Sequence, residues 1–132
     1  MTITPFEHAA INVADPAAMA DWYGKHLGVS VLRQGDPPEY MHFLADASGR
    51  VFLEIYRALP DDVPAYADMH PLLLHLAFAT DDAQATVERL EAAGATVLGP
   101  ARPNAGGDIM AMLRDPWGLA LQLCQRQQPM VQ

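Results

Sequence analysis

His8-Ala9-Ala10-Ile11-Asn12-Val13-Ala14-Asp15 and, half a chain length later, His75-Leu76-Ala77-Phe78-Ala79-Thr80-Asp81-Asp82 are two copies of one short pattern. In each, a histidine opens an alternating apolar run, and an aspartate seven residues on precedes a helix-like stretch. A duplication of this length predicts two copies of one supersecondary unit, and this decides the architecture before any single element is assigned. A polar residue repeated at the same strand position predicts two halves of one site.

Working outward, residues 6–13 alternate with period two, which is the signature of a half-buried strand. His8, Ala10 and Asn12 fall on one face with Phe6, and Ile11 and Val13 fall on the other. Asp15-Pro16 supplies an N-cap carboxylate and a proline at the first helical position. Met19, Trp22, Tyr23 and Leu27 follow at helical spacing, and Gly28 is placed to stop the helix. Residues 29–33, 40–45 and 51–56 read as three more strands, separated by turns at 35–38 and 46–49. After a Pro- and Asp-rich connection the order recurs. A strand covers 72–79, a helix runs from Asp81 or Asp82 to Ala93 with its stop at Gly94, and strands cover 95–98, 109–113 and 119–124. Residues 99–108 read as a loop. The expectation is an α+β chain with two tandem β-α-β-β-β modules at about 6–57 and 72–125, joined by a connection at 58–71, all in one domain spanning 1–132.

Composition narrows the functional classes. The chain has 132 residues, 51% hydrophobic and 18% charged, enough for a folded core and too apolar for disorder. Its 16 acidic and 8 basic residues leave a net charge of −8, which opposes a phosphate backbone and makes nucleic acid a poor partner. No stretch has the roughly 20 consecutive apolar residues of a membrane span. The N-terminus has no signal-peptide pattern, and the one cysteine, Cys124, fits a reducing compartment. A cytoplasmic protein is the expectation.

The face opposite the bulky apolar residues carries one metal-capable side chain on each of four strands. These are His8, Glu54 between Phe52 and Tyr56, His75 with Ala77 and Ala79, and Gln122 between Ala120 and Cys124. Small residues around a lone polar group leave space, where a packed core would use Leu, Ile or Val. A lone strand histidine is ordinarily a hydrogen-bonded structural residue, and Glu54 or Gln122 on an open sheet face could simply be solvated. Four such positions in symmetry-related places are more economically explained by one divalent ion, since imidazole and carboxylate suit Zn, Fe, Ni, Co or Mn.

At these residues the chain resembles the vicinal oxygen chelate superfamily, which includes glyoxalase I, bleomycin- and fosfomycin-resistance proteins, methylmalonyl-CoA epimerase and extradiol dioxygenases. The resemblance is carried by His8 with Val13 and Asp15, Trp22-Tyr23 through Leu27-Gly28, Leu53-Glu54-Ile55, His75 through Asp82, Leu90 through Gly94, and Asp115-Pro116-Trp117-Gly118 leading to Gln122. It implies curled mixed sheets that form a U-shaped cleft, with a metal held by His8, Glu54, His75 and Gln122 and bound to two neighbouring substrate oxygens. It also implies a homodimer, with a site either within one chain or shared between subunits. The last ligand position is commonly Glu in this superfamily and here is Gln122, which cannot act as a base. Glu54 is then the one ligand able to move a proton, and the leading expectation is a glyoxalase-like lyase or isomerase working through an enediolate or enolate. Ring-cleaving dioxygenase chemistry is an alternative, with Tyr40, His42, Tyr56 and Met112 shaping an aromatic pocket, and so is non-catalytic small-molecule binding. Asn12, on the His8 face, joins those four as a substrate-binding candidate.

Overall fold

A computed structural model describes residues 2–130. The chain divides into two compact units, one running up to Pro64 and the other beginning at Ala65. Each is a four-stranded mixed sheet with one helix.

In the first unit the elements are β1 (Ala9–Asn12), α1 (Pro16–Leu27), β2 (Ser30–Gln34), β3 (His42–Ala45) and β4 (Val51–Tyr56). In the second they are β5 (Leu76–Ala79), α2 (Ala83–Ala92), β6 (Thr96–Pro103), β7 (Ile109–Arg114) and β8 (Ala120–Gln125). The sheet orders are β1-β4-β3-β2 and β5-β8-β7-β6, the same topology twice. In each sheet the first and last strands of the unit run parallel and the other pairs are antiparallel. The duplication read from the two histidine runs is therefore a duplication of fold.

Local chemistry sets the helix ends. The Asp15 carboxylate accepts from the Ala18 N–H at 3.1 Å, with Pro16 at the first helical position. Asp82 repeats this on Ala85 at 3.0 Å. Gly28 ends α1 at φ 68, and Gly94 follows α2 at φ 108, both left-handed conformations that a side chain would strain. Met19 and Tyr23 of α1 are fully buried with Leu44, Leu53 and Ile55. In the second unit Leu90 of α2 is buried with Leu113, Leu121 and Leu123. One face of each sheet is thus the core, which turns the lone polar residues to the other face.

Several element boundaries differ from the sequence expectation, among them β3, which begins at His42 and leaves Tyr40 outside it. β1 and β5 begin at Ala9 and Leu76, so His8 and His75 each stand one residue before the paired strand. Leu72 and Leu73 are outside β5 and are 75% and 78% exposed. β6 runs on to Pro103, through residues expected to form a loop, because β7 offers partners as far as Pro103↔Ile109 across two register shifts. The proline lies at the strand end, where a missing donor is tolerated.

The connection is divided between the units. Tyr66–Asp68 forms a single 3-10 turn with Tyr66 buried. The Arg114 guanidinium donates to the Tyr66 and Gly118 carbonyls at 3.0 Å each and to the Met69 carbonyl at 2.9 Å. A Cβ on Gly118 would stand 2.7 Å from the Ala67 backbone nitrogen, so this glycine allows the turn to close on the β7–β8 hairpin. Residues 65–71 are therefore structured as part of the second unit.

Candidate functional site: two matched half-sites

On the open face of the first sheet, Glu54 sits on the central strand β4, with Ala10 of β1 on one side and Phe43 of β3 on the other. His8 lies two residues before Ala10, on the same side by strand parity. Its Nε2 is 3.4 Å from Glu54 Oε1. That is also the edge of a tetrahedron whose corners lie at metal-ligand distances of about 2.1 Å, roughly 3.4 Å. The other ring nitrogen, Nδ1, is 2.8 Å from Glu7 Oε1. A carboxylate accepts, so Nδ1 carries a proton, and Nε2 is turned toward the Glu54 carboxylate. The Phe43 ring meets the imidazole edge-on with centroids 5.1 Å apart.

The second unit repeats the register. Gln122 of β8 lies between Ala77 of β5 and Met112 of β7. His75 precedes Ala77 by two residues, as His8 precedes Ala10. The His75 Nδ1 donates to the Pro71 carbonyl at 2.8 Å. A carbonyl can only accept, so here too Nδ1 carries a proton. The Cys124 thiol donates to Gln122 Oε1 at 3.7 Å. Burial raises the Cys124 pKa, a nearby Arg126 opposes that shift and Asp108 adds to it, so the group at Gln122 is a neutral thiol.

The donor types fit a divalent ion. Each unit has one imidazole held through its Nδ1 and one side-chain oxygen at the equivalent register. Among the described residues no three His, Cys, Asp or Glu side chains come together.

The other candidates are placed as follows. Tyr56 and Met112 lie on the Glu54 and Gln122 faces respectively, the former beside Asn12 and the latter beside Gln122. The Asn12 amide is committed to the chain after β4, with Nδ2 donating to the Leu59 carbonyl at 2.7 Å and Oδ1 accepting from Ala58 and Leu59 at 3.0 and 3.1 Å. His42 pairs with Ile55 and is 3% exposed, on the sheet face opposite Glu54, and its Nδ1 donates to the Tyr40 carbonyl at 2.6 Å. Tyr40 precedes β3, adopts φ 49, and has its ring 6.2 Å from that of His42. The aromatic residue that accompanies Glu54 is instead Phe43. Its signal was the neighbouring Leu44: an apolar residue bound for the core puts residues 42 and 44 inside and residue 43 on the open face. Glu7 and Pro71 carried no signal, since a residue that orients a histidine is recognised only once the ring is placed.

The profile of the family described as the Glyoxalase/Bleomycin resistance protein/Dioxygenase superfamily matches residues 6–123. The lactoylglutathione lyase of Haemophilus influenzae is 30% identical over 122 residues, covering 89% of this chain and 90% of that protein. The crystal structure of glyoxalase I from Zea mays superposes with a TM-score of 0.70 at 23% identity, covering 92% of this chain and 44% of the maize chain. TnmS3, an antibiotic binding protein from Streptomyces sp. CB03234, superposes at 0.67 with 24% identity, covering 94% of this chain and 97% of its own. The two structural likenesses concern the fold. With the doubled topology, the matched histidine registers and a profile spanning both units, the chain belongs to the Glyoxalase/Bleomycin resistance protein/Dioxygenase superfamily.

Proposed function

We propose that this chain is a divalent-metal-dependent lyase or isomerase of the glyoxalase type, acting on a small substrate with oxygens on adjacent carbons. The observation that carries the reading is the repeated pair, in which a histidine hydrogen-bonded through Nδ1 stands at the same register from Glu54 in one unit and Gln122 in the other. The similarity to lactoylglutathione lyases supports it. His8, Glu54, His75 and Gln122 would hold the ion, which would act as a Lewis acid on a substrate oxygen and make the neighbouring C–H more acidic.

Within that set Glu54 is the residue that can take a proton from one carbon and return it to the next, since Gln122 has no titratable oxygen. Gln122 would position, with its oxygen oriented by the Cys124 thiol. Phe43 and Tyr56 flank Glu54 and would exclude water from the carboxylate. We read the working form as a homodimer, and light scattering of the purified protein checks this, with a monomer removing it.

Metal analysis after purification should find a stoichiometric divalent ion that is lost in His8→Ala. Turnover of a glutathione hemithioacetal, measured for the native chain and Gln122→Glu, then tests the reaction. The carboxylate variant is expected to be at least tenfold faster, because it restores a second group able to move a proton. A protein that binds no ion, or a metal-loaded protein that turns over no hemithioacetal in either form, sinks the lyase reading.

A further inference from the structure

β2 contains a register shift: Val31 pairs with Leu44 and Arg33 with Phe43, leaving Leu32 as the extra residue. Such bulges re-aim side chains, and here Leu32 and Arg33, neighbours that ordinary alternation would send to opposite faces, line one cavity. The cavity measures about 310 Å³ and its other walls are Glu7, Phe43 and Val51. Two of these walls touch His8: Glu7 through its hydrogen bond at 2.8 Å and Phe43 through its ring contact at 5.1 Å. The cavity is therefore next to the His8–Glu54 half-site.

The second unit has the same shift. Val97 pairs with Leu113 and Gly99 with Met112, with Leu98 as the extra residue. Leu32 and Leu98 are both exposed at these bulges, 58% and 45%. The duplicated device thus carries a cation in one copy, Arg33, and no side chain in the other, Gly99. The Arg33 guanidinium has no carboxylate partner among the described residues. Glu7 shares the cavity wall, but its carboxylate is engaged by the protonated Nδ1 of His8.

We infer that Arg33 is a specificity-determining residue that grips a carboxylate of the substrate, whose apolar body packs on Leu32, Phe43 and Val51. A guanidinium presents a planar donor fork matched to a carboxylate, and the apolar walls favour a flat hydrocarbon or aromatic group between that anion and the reacting oxygens. The inference rests on the proposed function for the identity of the ligand as substrate, whereas anion binding in the cavity does not depend on it.

The test uses a probe without vicinal oxygens. Isotope-labelled full-length protein, treated with chelator, is titrated with 2-naphthoate and separately with 2-naphthamide while backbone amide resonances are followed. The acid should bind at least tenfold more tightly than the amide and shift Leu32, Arg33, Phe43 and Val51. Arg33→Gln should erase the preference and Arg33→Lys should restore part of it. The titration is run on metal-free protein, so that failure of the metal reading and failure of this one are separable. Equal binding of acid and amide, a preference unchanged in Arg33→Gln, or shifts confined to another face would overturn the assignment. Arg33 is exposed on the outermost strand of its sheet, so these substitutions leave the core untouched.

Discussion

At the scale of single residues, orientation matters more than identity. In the proposed site His8 and His75 would bind the ion through Nε2, because Glu7 and the Pro71 carbonyl hold their Nδ1 protons. Removing such an orienting partner typically weakens metal affinity by about 10- to 100-fold. Glu7→Ala should therefore lower affinity for a divalent ion by that order in a competition titration against a chromophoric chelator, with thermal stability unchanged. An unchanged affinity would mean that Glu7 does not set the ring. Asp108 gives a pH dependence. The Gln127 N–H, and then the Arg126 guanidinium, hold its pKa below the usual carboxylate value. Its folded-state pKa is depressed, so its contribution to stability is complete above the unfolded value and is lost as pH falls through the folded value. Asp108→Asn should flatten the acid limb of a Tm–pH profile below about pH 4 and leave the neutral region parallel to the native curve.

At the scale of elements, the helices were legible because their signals are local. A cap carboxylate, a proline and a glycine stop act within a few residues of one another. Asp15→Ala and Asp82→Ala should each cost about 1 kcal/mol in urea unfolding, since each removes one cap hydrogen bond. A much larger loss at one of them would mean that the two caps are not equivalent. The strands were legible in parity but less so in extent. β4 and β8 present Glu54 and Gln122 opposite their buried leucines, as alternation requires. On β3 the same rule places Phe43 beside Glu54 and turns His42 to the core side, so the pocket aromatic is the residue next to the histidine first considered. The bulges at Leu32 and Leu98 and the extension of β6 to Pro103 depend on what the partner strand offers, and nothing in residues 99–103 announces it.

At the scale of the whole molecule, the two units repeat one topology with one exchange at each key position: Glu54 for Gln122, Phe43 for Met112, Arg33 for Gly99. Among the described residues no helix is long and apolar enough to cross a membrane. The connection is anchored at both ends. Asn12 ties residues 58–59 to the first unit, and Arg114 ties the carbonyls of Tyr66 and Met69 to the second. Residues 61–64 lie between these anchors. Limited proteolysis should therefore cut there first, with mass spectrometry finding the earliest nick between Asp61 and Ala65. An earliest nick within 66–71 would contradict the attachment through Arg114. Gly118→Ala, which places a Cβ against the Ala67 backbone at a φ of 92, should instead loosen that attachment and extend cleavage into 66–71.

The sequence alone determined the duplication, the helix caps, the core faces of β1, β4, β5 and β8 and the four polar positions at matching registers, because periodicity and capping are properties of neighbours along the chain. Tertiary structure decided which groups those residues are bonded to. The Glu7 and Pro71 contacts that fix the imidazoles, the commitment of Asn12 to residues 58–59 and the bulge that brings Leu32 and Arg33 into one cavity all depend on groups brought together by strand pairing and loop closure. Those are non-local events, and the residues that take part in them look ordinary until their partners are in place.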